Sequence, residues 1–145
     1  MKTRLLIPAA ALLMLFGCSS EDPAADTSGE YDFDITDLNA NMMYGQVYDM
    51  TFNSEKYMGK TVKLKGQFRY NKYSENQVIY SVFIPDAAAC CSQGIEFIPK
   101  DPLVYPDDFP EIDQEITVAG TFSTYEEYAV IYCQLKDAEI LSVSE

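Results

Sequence analysis

The ten residues TVKLKGQFRY, 61–70, limit the fold more than any other stretch of the chain. Val62, Leu64, Gly66, Phe68 and Tyr70 occupy alternate positions, with Lys63, Lys65, Gln67 and Arg69 between them. A period of two places the first set on one face of a strand and the polar set on the other; a helix would scatter the charges around its whole circumference. Four more runs read as strands. VIYSVFIP (78–85) is apolar and β-branched, and GIEFIP (94–99) starts at a glycine. EITVAGTFSTY (115–125) alternates through Ile116, Val118, Gly120 and Phe122. AVIYCQLKDAEIL (129–141) places Ala129, Ile131, Cys133 and Leu135 on one face, leaving Tyr128, Val130 and Tyr132 outward. Ahead of the first strand, YGQVYDMTFNSEKYMGK supplies a short helix and then a turn.

Five strands, the first long and interrupted by Gly66, predict a small closed barrel, because a glycine permits the sharp coil such a strand needs. Tyr57-Met58-Gly59-Lys60 followed by Val62, Leu64, Gly66 and Phe68 resembles the opening of many OB-fold domains. A β-sandwich fits less well: the strands are few, and 100–114 is a long Pro-rich connection. The expectation is a mainly β domain over residues 41–145, a five-stranded OB-like barrel with a short helix, of a length that suits one core.

The first residues have the anatomy of an export signal. Lys2 and Arg4 precede the apolar run Leu5–Phe16, which is too short for a spanning helix of roughly 20 residues. Leu15-Phe16-Gly17-Cys18 resembles the bacterial lipobox, with Phe16 where a small residue is usual. The resemblance implies a signal peptide over 1–17, a lipid anchor such as palmitate on Cys18, and a mature protein held at the extracytoplasmic face of the cell membrane, where two acyl chains anchor stably. Residues 18–40 are acidic and aperiodic, including Glu30, Asp32, Asp34 and Asp37, and read as a disordered tether. Removing the signal takes the formal charge from −13 to −15, because Lys2 and Arg4 leave and no acid does. That charge repels phosphate backbones and argues against nucleic acid as a partner.

The candidate chemistry lies in DAAACCSQGIEF, 86–97. With Cys18 acylated, Cys90, Cys91 and Cys133 remain, and the chain has no histidine. Adjacent α-carbons lie 3.80 Å apart, closer than a relaxed disulfide requires, so a bridge between Cys90 and Cys91 is strained. Three readings stay open, one being that the cysteines are mere packing, natural for Cys133 on a face with Ile131 and Leu135. Cys90 or Cys91 pairs with Cys133 as a disulfide staple, or Cys90, Cys91 and Cys133 bind zinc with Glu96 or Asp86 as a fourth ligand. A catalytic thiol is disfavoured, since no histidine or positive charge nearby would lower its pKa. The chain therefore reads as a non-enzymatic binding module, or as an adaptor for a transport or envelope complex. Tyr57-x-Gly59-Lys60-x-Val62-x-Leu64-x-Gly66, an apolar strand, Cys90-Cys91 and Gly94 together resemble the C-terminal domain of YcgQ-type proteins. Those are bacterial subunits paired with a permease-like protein. The resemblance implies an envelope protein that binds a metal or assists a membrane transporter.

Two other features have ordinary readings. Lys56, Lys60, Lys63, Lys65, Arg69 and Lys72 form a basic stripe, most simply a solvated face paired with acids. The acids of YPDDFPEIDQE lack calcium-loop spacing and read as a solvated loop. The many tyrosines suit the aromatic faces on which OB folds stack sugars or bases; the charge favours a neutral glycan or a protein.

Overall fold

A computed structural model describes residues 30–74, 77–86, 88 and 91–144. The signal peptide, Cys18, the tether as far as residue 29, and Cys90 lie outside the described residues.

All five predicted strands are present, as β2 (Thr61–Ser74), β3 (Gln77–Pro85), β4 (Ser92–Pro99), β5 (Glu115–Glu127) and β6 (Val130–Val143). They are preceded by a two-residue strand, β1 (Phe33–Asp34), and by the helix α1 (Ala40–Phe52). The sheet runs β1-β2-β3-β4-β6-β5, and β5 pairs back onto β2, which closes the barrel. Neighbours are antiparallel except β4–β6 and the short β1–β2 pair. This is the OB-like arrangement. Val62, Leu64 and Phe68 are buried on the inner face of β2 as the alternation predicts.

Gly66 is the position where closure depends on a missing side chain. A Cβ there would lie 2.5 Å from the Phe83 carbonyl oxygen and 2.8 Å from Val82 Cγ1. The first obstacle is backbone, so it cannot rotate away. Gly66→Ala is expected to destabilise the protein by about 1–3 kcal/mol through overpacking, seen as a lower urea midpoint with an unchanged m-value.

The two ends of the barrel are closed differently. Helix α1 begins at Asn39, whose side chain accepts the Met42 amide at 3.1 Å. It buries Met43, Val47 and Met50, one stripe at helical spacing, and packs on β3, β4 and β6. Its last turns are tied down by Asp49, which accepts hydrogen bonds from the Tyr57 hydroxyl and the Asn53 amide group. The opposite end is filled by the connection 100–114. This loop is more than the solvated link expected of it: Tyr105 stacks on Tyr70 with centroids 3.8 Å apart, and Phe109 stacks on Tyr80 at 4.2 Å.

The tether boundary at residue 40 needs correction. Ile35 is fully buried, and its amide donates to the Lys63 carbonyl at 3.0 Å. Asp32 accepts from both the amide and the hydroxyl of Thr61, at 2.8 and 2.9 Å, which holds its carboxyl below the usual range. Within an acidic stretch, the alternation of Phe33 and Ile35 with Asp32 and Asp34 is enough to add a strand. The same acids explain much of the basic stripe: Lys60 pairs with Asp32 and Lys63 with Asp34, while Arg69 pairs with Asp113.

Candidate functional site

The sequence-predicted site divides when folded. Cys91 lies exposed in the β3–β4 loop, where the Asp86 amide donates to the Cys91 carbonyl at 2.9 Å. Cys133 is a free, buried thiol whose Sγ lies 3.9 Å from the Met50 carbonyl under α1. Burial, and then the Glu96 carboxyl, push its pKa up, which suits an inert thiol. In the parallel β4–β6 pair, Glu96 faces Gln134, so Cys133 is level with Ile95, four residues along the chain from Cys91. At ~3.3 Å per residue that is about 13 Å along the strand. Cys91 and Cys133 therefore stand apart, one exposed and one buried, and do not bridge each other. Among the described residues no group of three or more His, Cys, Asp or Glu is placed to hold a metal. The proposed contribution of Cys90 lies outside them.

Glu96 belongs to a different assembly, on the outer face of the barrel. The strand register carries one row of side chains across the sheet: Arg69 opposite Ser81, Ser81 opposite Glu96, Glu96 opposite Gln134, and Gln134 opposite Ser123. An outward row on a small barrel is normally wet, yet Ser81 and Gln134 are buried here. The Ser123 hydroxyl is buried with no hydrogen-bond partner among the described residues. Beside this row lies an aromatic one. Phe83 covers Gly94, where a Cβ would meet its ring at 3.1 Å, and Tyr125 stacks on Tyr132 at 5.2 Å. Arg69 lies over the Phe83 ring, 5.7 Å from its centroid.

Beside the polar row, toward Ile79 and Ile98, is a groove of about 180 Å³, lined by Val78, Ile79, Glu96, Ile98, Tyr125 and Gln134 among others. Glu96 is half-buried in it. The Tyr125 hydroxyl donates to its Oε2 at 2.8 Å, and no described residue gives Glu96 an ion pair. Loss of water raises the Glu96 pKa, with the nearby Glu127 adding to the rise; the Tyr125 hydrogen bond opposes it. The groove lies between the two hairpins that project past the barrel. At one end is the β2–β3 hairpin, with Tyr73 exposed, and at the other the β5–β6 hairpin. Tyr128 and Ala129 turn the latter with φ of 51° and 61°, the backbone of a type I′ turn made without glycine. This turn puts Tyr128 into solvent at 92% exposure. It also corrects the expected buried face of β6: Cys133 and Leu135 are buried, but Ile131 is 64% exposed because the hairpin overshoots the core.

Replacing Glu96 tests how this carboxylate sits. A glutamate whose folded pKa is raised contributes less to stability as pH climbs from below its ordinary range through the raised value. Glutamine does not titrate and can still accept from Tyr125. Glu96→Gln should therefore melt above the wild type at about pH 7, with the gap closing at about pH 3. A gap that widened on acidification would contradict the burial.

Sequence reasoning named Glu96 only as a candidate metal ligand. It missed Ser81, Ser123, Tyr125 and Gln134, and the signal was present: positions 79, 81 and 83 of β3 and 94, 96 and 98 of β4 are the outward set of two central strands. Compared with known proteins, the chain matches no protein-family model and no curated protein sequence.

Proposed function

We propose that this protein is a lipid-anchored extracytoplasmic lipoprotein whose barrel is a non-catalytic binding module, taking its ligand in the groove on the outer face of β3, β4 and β6. The observation that carries the reading is the groove itself: a half-buried carboxylate, two buried polar side chains and a stacked tyrosine pair on one outward sheet face. OB barrels use this face, between the first and last hairpins, for ligands. Anchoring at Cys18 rests on its lipobox-like setting. No described helix is long and apolar enough to cross a membrane. Zinc at the cysteine loop 86–97 is a separate proposal, independent of this groove.

The test is site-specific photocrosslinking in intact cells. A crosslinking residue at Ile79 or Ile98, inside the groove, should give discrete adducts, while one at the exposed Asp107 should give none. In parallel, Cys18→Ser should move the protein from the membrane fraction to the soluble one. Equal adducts from Asp107 and the groove, or none from the groove, would overturn the placement of the site. Membrane retention of the Cys18 variant would overturn the anchor.

A further inference from the structure

We infer that the groove receives a lysine or arginine side chain presented by a basic segment of a partner protein; this rests on the proposed binding role of the same face. Three observations carry it. First, Glu96 is a half-buried acid with no cation paired to it among the described residues. Its described contact is one hydroxyl, from Tyr125, so the second oxygen has no described donor. A carboxylate in that position gains a charge-assisted bond when an ammonium or guanidinium arrives. Second, the surroundings attract rather than neutralise. Glu127 lies close enough to raise the Glu96 pKa, and Arg69, the cation level with it across the sheet, is engaged by Asp113. Third, the stacked rings of Tyr125 and Tyr132 flank the carboxylate, and an aromatic face beside an anion is a common setting for a cation.

The size of the apolar surround favours a protein over a single sugar or a small amine. The groove itself holds about one side chain. Its margin includes Val78 and Ile98, at 37% and 49% exposure, and further along the same outward face of β6 Val130 is 49% exposed. Side chains so exposed beyond the edge of a single small pocket suit an amphipathic partner, with a basic group at the centre and apolar residues around it. The strongly acidic chain would steer such a partner toward the face from a distance.

The experiment uses the full isotope-labelled chain in neutral detergent, titrated with a synthetic peptide of alternating lysine and valine and followed by amide chemical shifts. Three comparison ligands are the same peptide with every lysine acetylated, a glucosamine oligomer, and n-butylammonium. The lysine peptide should shift the amides of Ile79, Glu96, Tyr125 and Gln134 and bind more tightly than n-butylammonium, while the acetylated peptide binds at least about tenfold more weakly. Glu96→Gln, which keeps the fold and the Tyr125 contact, should weaken the lysine peptide about tenfold or more and leave the acetylated one unchanged. Equal binding of both peptides at these residues would overturn the cation assignment and leave the groove a binding site. Glucosamine oligomer binding in preference to the peptide would overturn the protein partner. No shift at the groove with any ligand would overturn this inference, while groove-specific photocrosslinks would still uphold the binding role.

Discussion

Phe68→Ala is expected to lower the unfolding free energy by about 3–5 kcal/mol, a large share of the ~5–15 kcal/mol that holds a typical domain together. Phe68 is fully buried, so truncation leaves a cavity in the barrel. It is also where the connection 100–114 meets the sheet. Its ring stacks on Phe109 at 5.4 Å and lies 6.3 Å from both Tyr80 and Phe97. The backbone on either side of the ring is tied to the same loop: its amide donates to Gln114 at 2.9 Å, and its carbonyl accepts from Asp113 at 3.0 Å. Losing the ring should therefore loosen the loop before the helical end. Urea denaturation measures the first effect. Hydrogen exchange measures the second, with amides 104–114 expected to lose protection more than those of α1. A loss below about 1 kcal/mol would mean that the loop is not part of the core.

Ile35→Ala is expected to cost about 2–5 kcal/mol, although composition alone assigns this residue to a tether. Its side chain is sealed in the core, and β1 is held to β2 in the register Phe33 opposite Val62. Phe33 packs against Tyr57 at 5.0 Å, and Thr36 donates twice to the Asp34 carboxyl, so the segment is fixed on both sides of Ile35. The exposed neighbour Asp37 supplies the control, since Asp37→Ala should stay within about 0.5 kcal/mol of the wild type. If the two variants unfold at the same urea concentration, residues 30–39 contribute nothing to the domain and the tether does extend to residue 40.

How much was legible follows from the range of the interaction concerned. The strands of this barrel could be read because alternation is a local property: each of TVKLKGQFRY and EITVAGTFSTY shows its two faces within a few residues. Gly66 was legible for the same reason, as the one small residue on an otherwise bulky face. The segment YDFDI was not, because its alternation is short and its charge matches that of the residues before it. Its placement depends on Thr61 and Lys63, some thirty positions later in the chain. The plug formed by Tyr105 and Phe109 was hidden among prolines and acids, which dominate the composition of that loop and not its contacts.

The candidate site shows the same division. Cysteine chemistry drew the eye to residues 86–97, and proximity in sequence joined Glu96 to Cys90 and Cys91. Glu96 lies within β4, and its described neighbours come from β3, β5 and β6. The sequence by itself determined the period-two pattern, and with it a mainly β domain, the five barrel strands, the inner face of β2 and an acidic surface. Only the tertiary structure decided that Cys133 lies beneath α1, that Ser81, Glu96, Gln134 and Ser123 form one row, and that Tyr125 reaches the carboxylate. The reason is physical. Alternation is set by the backbone of one strand, whereas a site on a barrel is set by register between strands, which shifts at the β4–β6 and β5–β6 irregularities and leaves no trace in any single segment.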